Sequence, residues 1–69
     1  MKYAVVYERA PRNWAAYVPD LPGCIATGAT HKETERNMYE AIQLHLAGMR
    51  EDGEPIPEST ALAEYVLLA

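Results

Sequence analysis

Few side chains in this 69-residue sequence could perform chemistry, and they are dispersed along the chain. Cys24 is the one cysteine, and His31 and His45 are the two histidines. A thiol could act as a nucleophile, and an imidazole could act as an acid–base group or a metal ligand. A structural zinc site normally needs four such ligands, and a disulfide needs two cysteines. The sequence therefore predicts no metal site, no cofactor and no intrachain disulfide.

The acidic side chains are the remaining candidates for catalysis. Two-metal nucleases hold their ions between converging carboxylates. Here the glutamates are spread over the expected elements, and only Glu64 is expected in the middle of a strand. Asp20 stands between two prolines, where a carboxylate commonly accepts hydrogen bonds from backbone N–H groups of a turn. We therefore expect a binding protein and not an enzyme.

Charge and size favour a small domain with a protein partner. Ten acidic and six basic residues give a net charge of −4, which disfavours contact with nucleic-acid phosphates and suits a basic partner. Solubility alone is the alternative explanation of this charge. Without a disulfide or a metal, so short a chain has a thin core, and we expect it to self-associate as a dimer or higher oligomer.

The first residues predict where the protein resides. A charged residue, Glu8, comes too early for the apolar core of a signal peptide. No apolar run approaches the length of a membrane span. We therefore expect a cytoplasmic protein that does not bind membranes.

The elements that must position these side chains are predicted in the order β-β-β-α-β. Residues 2–8 and 14–18 predict a hairpin, and residues 24–27 predict a short third strand. Residues 61–68 suit either a strand or a helix, and we expect a strand because it would cover a sheet edge. The predicted fold class is α+β, with residues 1–69 forming one domain. In it, one helix packs on a four-stranded mixed sheet of order 3-2-1-4.

A rigid corner is predicted between the second and third strands. Pro19 and Pro22 fix their own φ angles, and Gly23 can adopt a positive φ. A preset loop loses little entropy on binding, so we expect this corner and its aromatic neighbours to contact a partner. The predicted partner-binding residues are Trp14, Tyr17, Asp20 and Leu21.

The helix has clear start and stop signals. Thr30 is a suitable N-cap, and Glu33 completes a capping box with it. Gly53 is placed to end the helix, and Pro55 forbids its continuation. Between these signals, apolar side chains recur at spacings of three and four residues, which predicts one face packed on the sheet: Met38, Ala41, Ile42, His45, Leu46 and Met49.

Four stretches of the chain together resemble the HicB-like antitoxin family. They are Val-Pro-Asp-Leu-Pro-Gly-Cys at residues 18–24, Thr-Gly-Ala-Thr at 27–30, Ala-Ile-Gln-Leu-His-Leu at 41–46 and Asp-Gly-Glu-Pro-Ile-Pro at 52–57. The resemblance covers almost the whole chain. It implies a partial ribonuclease-H-like fold, β-β-β-α-β, and a protein that binds and neutralises a small, basic, mRNA-cleaving toxin of the HicA type.

The resemblance also bears on nucleic-acid binding. Many members carry a C-terminal helix-turn-helix or ribbon-helix-helix that binds promoter DNA. The given sequence ends at Ala69, so we expect no direct nucleic-acid binding by these residues alone. The alternative to an antitoxin is an orphan oligomeric binding module with an unknown regulatory partner. A short, basic reading frame beside the gene would favour the antitoxin.

Overall fold

The computed structural model of the protein describes residues 1–69 and has three strands and one helix, in the order β-β-β-α. Strand β1 spans Val6–Arg9, β2 spans Trp14–Tyr17, β3 spans Ile25–Gly28, and helix α1 spans His31–Glu51. The strands form one antiparallel sheet of order β1-β2-β3, and α1 packs on one of its faces. No helix combines the length and apolar character that crossing a bilayer requires.

The predicted fourth strand is absent, so the expectation of a four-stranded mixed sheet in the order β-β-β-α-β is wrong. Residues 61–68 belong to no strand, and the sheet ends at β1. Residues 61–65 lie beside residues 2–7 without forming a ladder with them. Strand-forming composition reports how well side chains fit a pleated surface, and it does not guarantee the backbone alignment that a ladder needs. We call residues 62–68 the C-terminal arm.

Strand β1 begins at Val6, not at the predicted residue 2, because its partner strand ends. Val6 pairs with Tyr17, the last residue of β2. Directly beyond, the N–H of Val18 donates to the carbonyl of Cys24 across the base of the corner. Pro19 has no N–H to offer a ladder. Residues 2–5 therefore have no strand to pair with.

Both ends of α1 are capped. Thr30 is the N-cap, and its Oγ1 accepts from the N–H of Glu33 at 3.1 Å. At the other end, Gly53 has a φ of +69°. The N–H of Gly53 donates to Arg50, and the N–H of Glu54 donates to Met49. These two bonds form a Schellman motif, which satisfies carbonyls that the helix leaves free.

The core lies between the sheet and α1. It consists of Ala16, Val18, Leu21, Cys24, Met38 and Leu46. The helix start approaches β3 so closely that a Cβ on Gly28 would lie 2.6 Å from Oγ1 of Thr34 and 2.8 Å from its backbone N. Thr34 is itself buried, and its hydroxyl donates to the carbonyl of Thr30 at 2.7 Å. Glycine at residue 28 therefore permits this contact.

Candidate partner-binding face

The sheet has one face that α1 does not cover. Side chains of paired residues in an antiparallel sheet lie on the same face. Ala16 and its partners Tyr7 and Ala26 pack against the helix side. Their sequence neighbours must therefore point the other way. We call this opposite surface the open face.

An apolar row crosses the open face from strand to strand. Tyr17 in β2 pairs with Val6 in β1 and with Ile25 in β3. The side chain of Ile25 is 68% exposed and that of Tyr17 is 42% exposed, whereas Val6 is half-buried. The next row, Glu8, Ala15 and Thr27, is shorter and more polar. The arrangement is an apolar stripe with a polar border, the usual anatomy of a protein contact.

The corner beside this row is built from two consecutive β-turns. The N–H of Leu21 donates to Val18 at 3.1 Å, and the N–H of Cys24 donates to Leu21 at 3.0 Å. The second turn has Pro22 and Gly23 at its central positions, and Gly23 has a φ of +84°. A proline followed by a left-handed residue is the pattern of a type II turn. The corner is therefore held by its own backbone.

Asp20 joins the corner to the chain that follows the helix. Its Oδ2 accepts from the N–H groups of Thr60 at 2.9 Å and Ala61 at 3.0 Å, and its Oδ1 accepts from the Thr60 hydroxyl at 2.9 Å. The bond from Ala61 and those from Thr60 hold the pKa of Asp20 below its ordinary value, although desolvation opposes them. We call this set of bonds the Asp20 clamp.

The four predicted contact residues occupy different environments. Tyr17 lies on the open face, whereas Trp14 is half-buried on the helix side and meets the ring of His31 at 5.2 Å. Asp20 is engaged by the clamp. Leu21 is fully buried, because the turn directs it into the core. Only Tyr17 of the four therefore combines exposure with a place on the open face.

Two open-face residues, Val6 and Ile25, were not predicted from the sequence. The expected strands already contain them, and alternation along each strand separates them from the core residues. The missing information was the register, which brings both beside Tyr17. Hairpin loop length could have narrowed that register.

The side chains with chemical potential lie apart from one another. Cys24 is buried, and desolvation raises the pKa of its thiol, which disfavours the nucleophilic thiolate. The ring of His31 lies edge-on to Tyr7 at 4.6 Å. Burial, together with the negative charge of Glu35, raises the pKa of Tyr7. No group of three His, Cys, Asp or Glu side chains is arranged to hold a metal ion.

The chain matches a known protein family over nearly all of its length. The family is described as the HicB_like antitoxin of bacterial toxin-antitoxin systems, and its profile matches residues 3–67. An uncharacterized 14.9 kDa protein of Haemophilus phage HP1 is 38% identical over 66 residues, which are 96% of this chain and 50% of that protein. A UPF0150 protein of Helicobacter pylori is 38% identical over 47 residues, which are 68% of this chain and 65% of that protein.

The chain thus spans about half of the phage protein and about two thirds of the Helicobacter protein. Among solved structures, a chain of a HicA3 and HicB3 toxin-antitoxin complex superposes with a TM-score of 0.74 and 25% identity. The match covers 86% of this chain and 70% of that one. Profile and structure agree with the resemblance found in the sequence: the chain belongs to the HicB-like antitoxin family.

Proposed function

We propose that this protein is an antitoxin that binds and neutralises a small, basic, HicA-like toxin through the open face. The observation that carries the proposal is the row of Val6, Tyr17 and Ile25, uncovered in a chain of the HicB-like antitoxin family. The similar solved chain comes from a complex of HicA3 with HicB3, which supports a HicA-like partner.

The open face has the physical properties of a binding surface. Burying a large apolar side chain such as Ile25 contributes about 1.5–3 kcal/mol. Tyrosine is enriched among residues that dominate binding energy. Both side chains stand on paired strands, so the surface is formed before the partner arrives and little entropy is lost in shaping it.

Charge supplies long-range attraction for a basic partner. The net charge of −4 draws a cationic protein toward the chain at distances beyond contact. Glu8 borders the apolar row on the open face and can pair with a lysine or arginine at the rim. Rim pairs of this kind mainly raise the association rate and add little affinity.

Neutralisation by this route needs no catalysis by the antitoxin. A bound protein can cover the surface with which a toxin contacts RNA, and a buried thiol and dispersed carboxylates suit such a passive role. We place this role in the cytoplasm, where an mRNA-cleaving toxin would meet its substrate. The same chain without a toxin partner, an orphan oligomeric module, is the competing proposal.

Growth of cells that express the toxin tests the proposal. The toxin to be expressed is a HicA-like protein, sought first in a short basic reading frame beside this gene, and this chain is co-expressed from a second promoter. Wild-type protein should restore growth, and Ile25→Asp should not, because it places a charge in the apolar row. Leu44→Asp is the matched control, since Leu44 is a similarly exposed apolar residue (75%) on α1. Equal rescue by both variants would contradict the proposed face, and no rescue by the wild type would contradict the antitoxin role.

A further inference from the structure

A groove of about 740 Å³ lies between β1 and the C-terminal arm. Its volume falls within the range of about 300–1,000 Å³ that is typical of ligand sites. Four of its eight lining residues have aromatic rings, and one has a carboxylate. The lining residues are Val5, Val6, Tyr7, Trp14, His31, Ala63, Glu64 and Tyr65. The groove can therefore admit a side chain of a partner and surround it with aromatic and acidic groups.

Three of the rings form a concave surface at the start of α1. The centroid of the His31 ring lies 4.6 Å from that of Tyr7 and 5.2 Å from that of Trp14, and the ring planes are inclined by 66° and 60°. Rings inclined to one another in this way enclose a hollow, whereas parallel rings would form a flat stack. Tyr65 adds a fourth ring from the arm. Because the faces of tyrosine and tryptophan attract cations, this set of rings favours a positively charged group.

Negative charge borders the same rings. Glu64 lines the groove and makes no hydrogen bond or ion pair within the chain. A carboxylate oxygen of Glu35 lies 3.7 Å from Nδ1 of His31. No lysine or arginine of the chain lines the groove. A cation that enters the groove therefore meets aromatic rings and an unpaired carboxylate, and it meets no like charge among the lining residues.

We propose that this groove binds an arginine side chain of the toxin, an inference that rests on the proposed function. The guanidinium group is planar and always charged, so it can lie against aromatic rings while it donates two hydrogen bonds to the carboxylate of Glu64. The ammonium group of lysine lacks this planar geometry. A nucleotide could stack on the rings, but its phosphate would meet the negative charges of Glu64 and Glu35. An arginine of a basic protein fits both the rings and the charge.

Val6 connects the groove with the open face. It belongs to the apolar row with Tyr17 and Ile25, and it also lines the groove. A toxin that covers the apolar row therefore lies beside the groove and can extend a side chain into it. The inserted arginine fixes the orientation of the toxin on the row, because a bidentate pair with a carboxylate requires a defined geometry.

The Asp20 clamp holds the arm side of the groove in place. It fixes the backbone through the N–H of Ala61, three residues before Glu64. A second bond, from the Tyr3 hydroxyl to the carbonyl of Pro57, holds the preceding residues against the N-terminal segment. A site whose walls are anchored loses less entropy on binding than one that must first be ordered.

Fluorescence titration of the toxin-free protein with Nα-acetyl-arginine amide tests the groove. Trp14 is the one tryptophan of the chain, so its emission reports directly on this site. The emission should change and saturate at millimolar probe, since a single side chain makes few contacts. The neutral analogue Nα-acetyl-citrulline amide and the anion adenosine monophosphate should not produce this change. No saturable response to the arginine probe, or an equal response to either of the other compounds, would overturn the proposal.

Two variants of exposed residues locate the probe within the groove. Glu64→Gln removes the carboxylate and Tyr65→Leu removes a ring, and each should raise the Kd of the arginine probe by about fivefold. The matched controls are Glu54→Gln and Tyr39→Leu, exposed residues that do not line the groove, and they should leave the Kd unchanged. An unchanged Kd in either groove variant would overturn the proposal.

The toxin complex tests which group occupies the groove. Once the wild type has been saturated with toxin, the arginine probe should no longer change the emission of Trp14, because the groove is filled. A response equal to that of the free protein would overturn the toxin as the source of the arginine. Absence of toxin binding would contradict the proposed function and with it this occupant, whereas the titration of the free protein judges the arginine site separately.

Discussion

At the scale of single residues, Asp20 shows how one carboxylate can organise a chain this small. It lies in the corner before β3, yet it binds residues 40 and 41 positions later, at Thr60 and Ala61. The chain has no disulfide, so this clamp is one of the few links between the sheet region and the segment after α1. The flanking prolines keep the carboxylate in position by restricting the backbone on either side.

The clamp predicts a pH-dependent contribution to stability. The pKa of Asp20 is lower in the folded than in the unfolded chain. Its contribution is therefore fully present above the unfolded pKa, near pH 4, and is lost as the pH falls through the folded value. The difference in melting midpoint between wild type and Asp20→Asn should be constant near neutral pH and should shrink below about pH 4.

Glu58→Gln is the control for this measurement, because Glu58 is exposed and makes no hydrogen bond. At neutral pH its midpoint should equal that of the wild type, because the substitution removes no hydrogen bond of the clamp. A difference for Asp20→Asn that persists unchanged in acid would show that the clamp does not depend on the charge of Asp20.

Replacing glycine with alanine should have opposite effects on stability at residues 28 and 48. Gly28→Ala forces a Cβ against the backbone of Thr34 and should destabilise the protein by about 1–3 kcal/mol. Gly48→Ala meets nothing within 4 Å and lies inside α1, so it should stabilise by up to about 1 kcal/mol. Urea unfolding measures both changes. Equal effects of the two substitutions on the free energy of unfolding would contradict the close contact between Gly28 in β3 and Thr34 in α1.

At the scale of elements, the ends of a helix or strand could be predicted from the sequence where the residues that fix them lie within a few positions of those ends. The bounds of α1 follow from Thr30, Glu33 and Gly53, which act within a turn of the helix ends. The three strands were found, but their exact ends depend on neighbours distant in sequence. The C-terminal arm has the composition of a strand and forms none, because pairing requires backbone alignment with a neighbouring strand, which composition does not reveal.

In the candidate site too, some residues could be identified from local sequence and others could not. Tyr17 could be identified from its type and its strand, whereas Ile25 and Val6 required the register between strands. Leu21 is in the turn that suggested an exposed anchor, but the two β-turns point it inward. Side-chain direction in a corner depends on the turn type, which the sequence only partly specifies.

The N-cap of α1 predicts a stability change at the level of the element. Thr30→Ala removes the acceptor for the N–H of Glu33 and should cost about 1 kcal/mol. For a domain of this size, such a loss lowers the melting midpoint by about 4–8 °C. Thr27→Ala is the control, because the exposed Thr27 contributes only its backbone carbonyl to a hydrogen bond, with Asn37. A larger loss of stability for Thr27→Ala than for Thr30→Ala would show that Thr30 is not the residue that caps the helix.

At the scale of the whole molecule, the two faces of the sheet differ in what covers them. Helix α1 packs on one face, and the core lies between the two. The other face has the row of Val6, Tyr17 and Ile25, which α1 leaves uncovered. In the proposed function, this is the face that a toxin covers.

Calorimetric titration of the purified toxin candidate into this protein tests the central claim most directly. Wild type and the control Leu44→Asp should bind with the same affinity, and Ile25→Asp should weaken binding at least tenfold, equivalent to about 1.4 kcal/mol. Raising the salt concentration should weaken the charge attraction but leave the complex formed, because the apolar contact is not screened. Absence of binding by the wild type, or unchanged affinity for Ile25→Asp, would contradict the account.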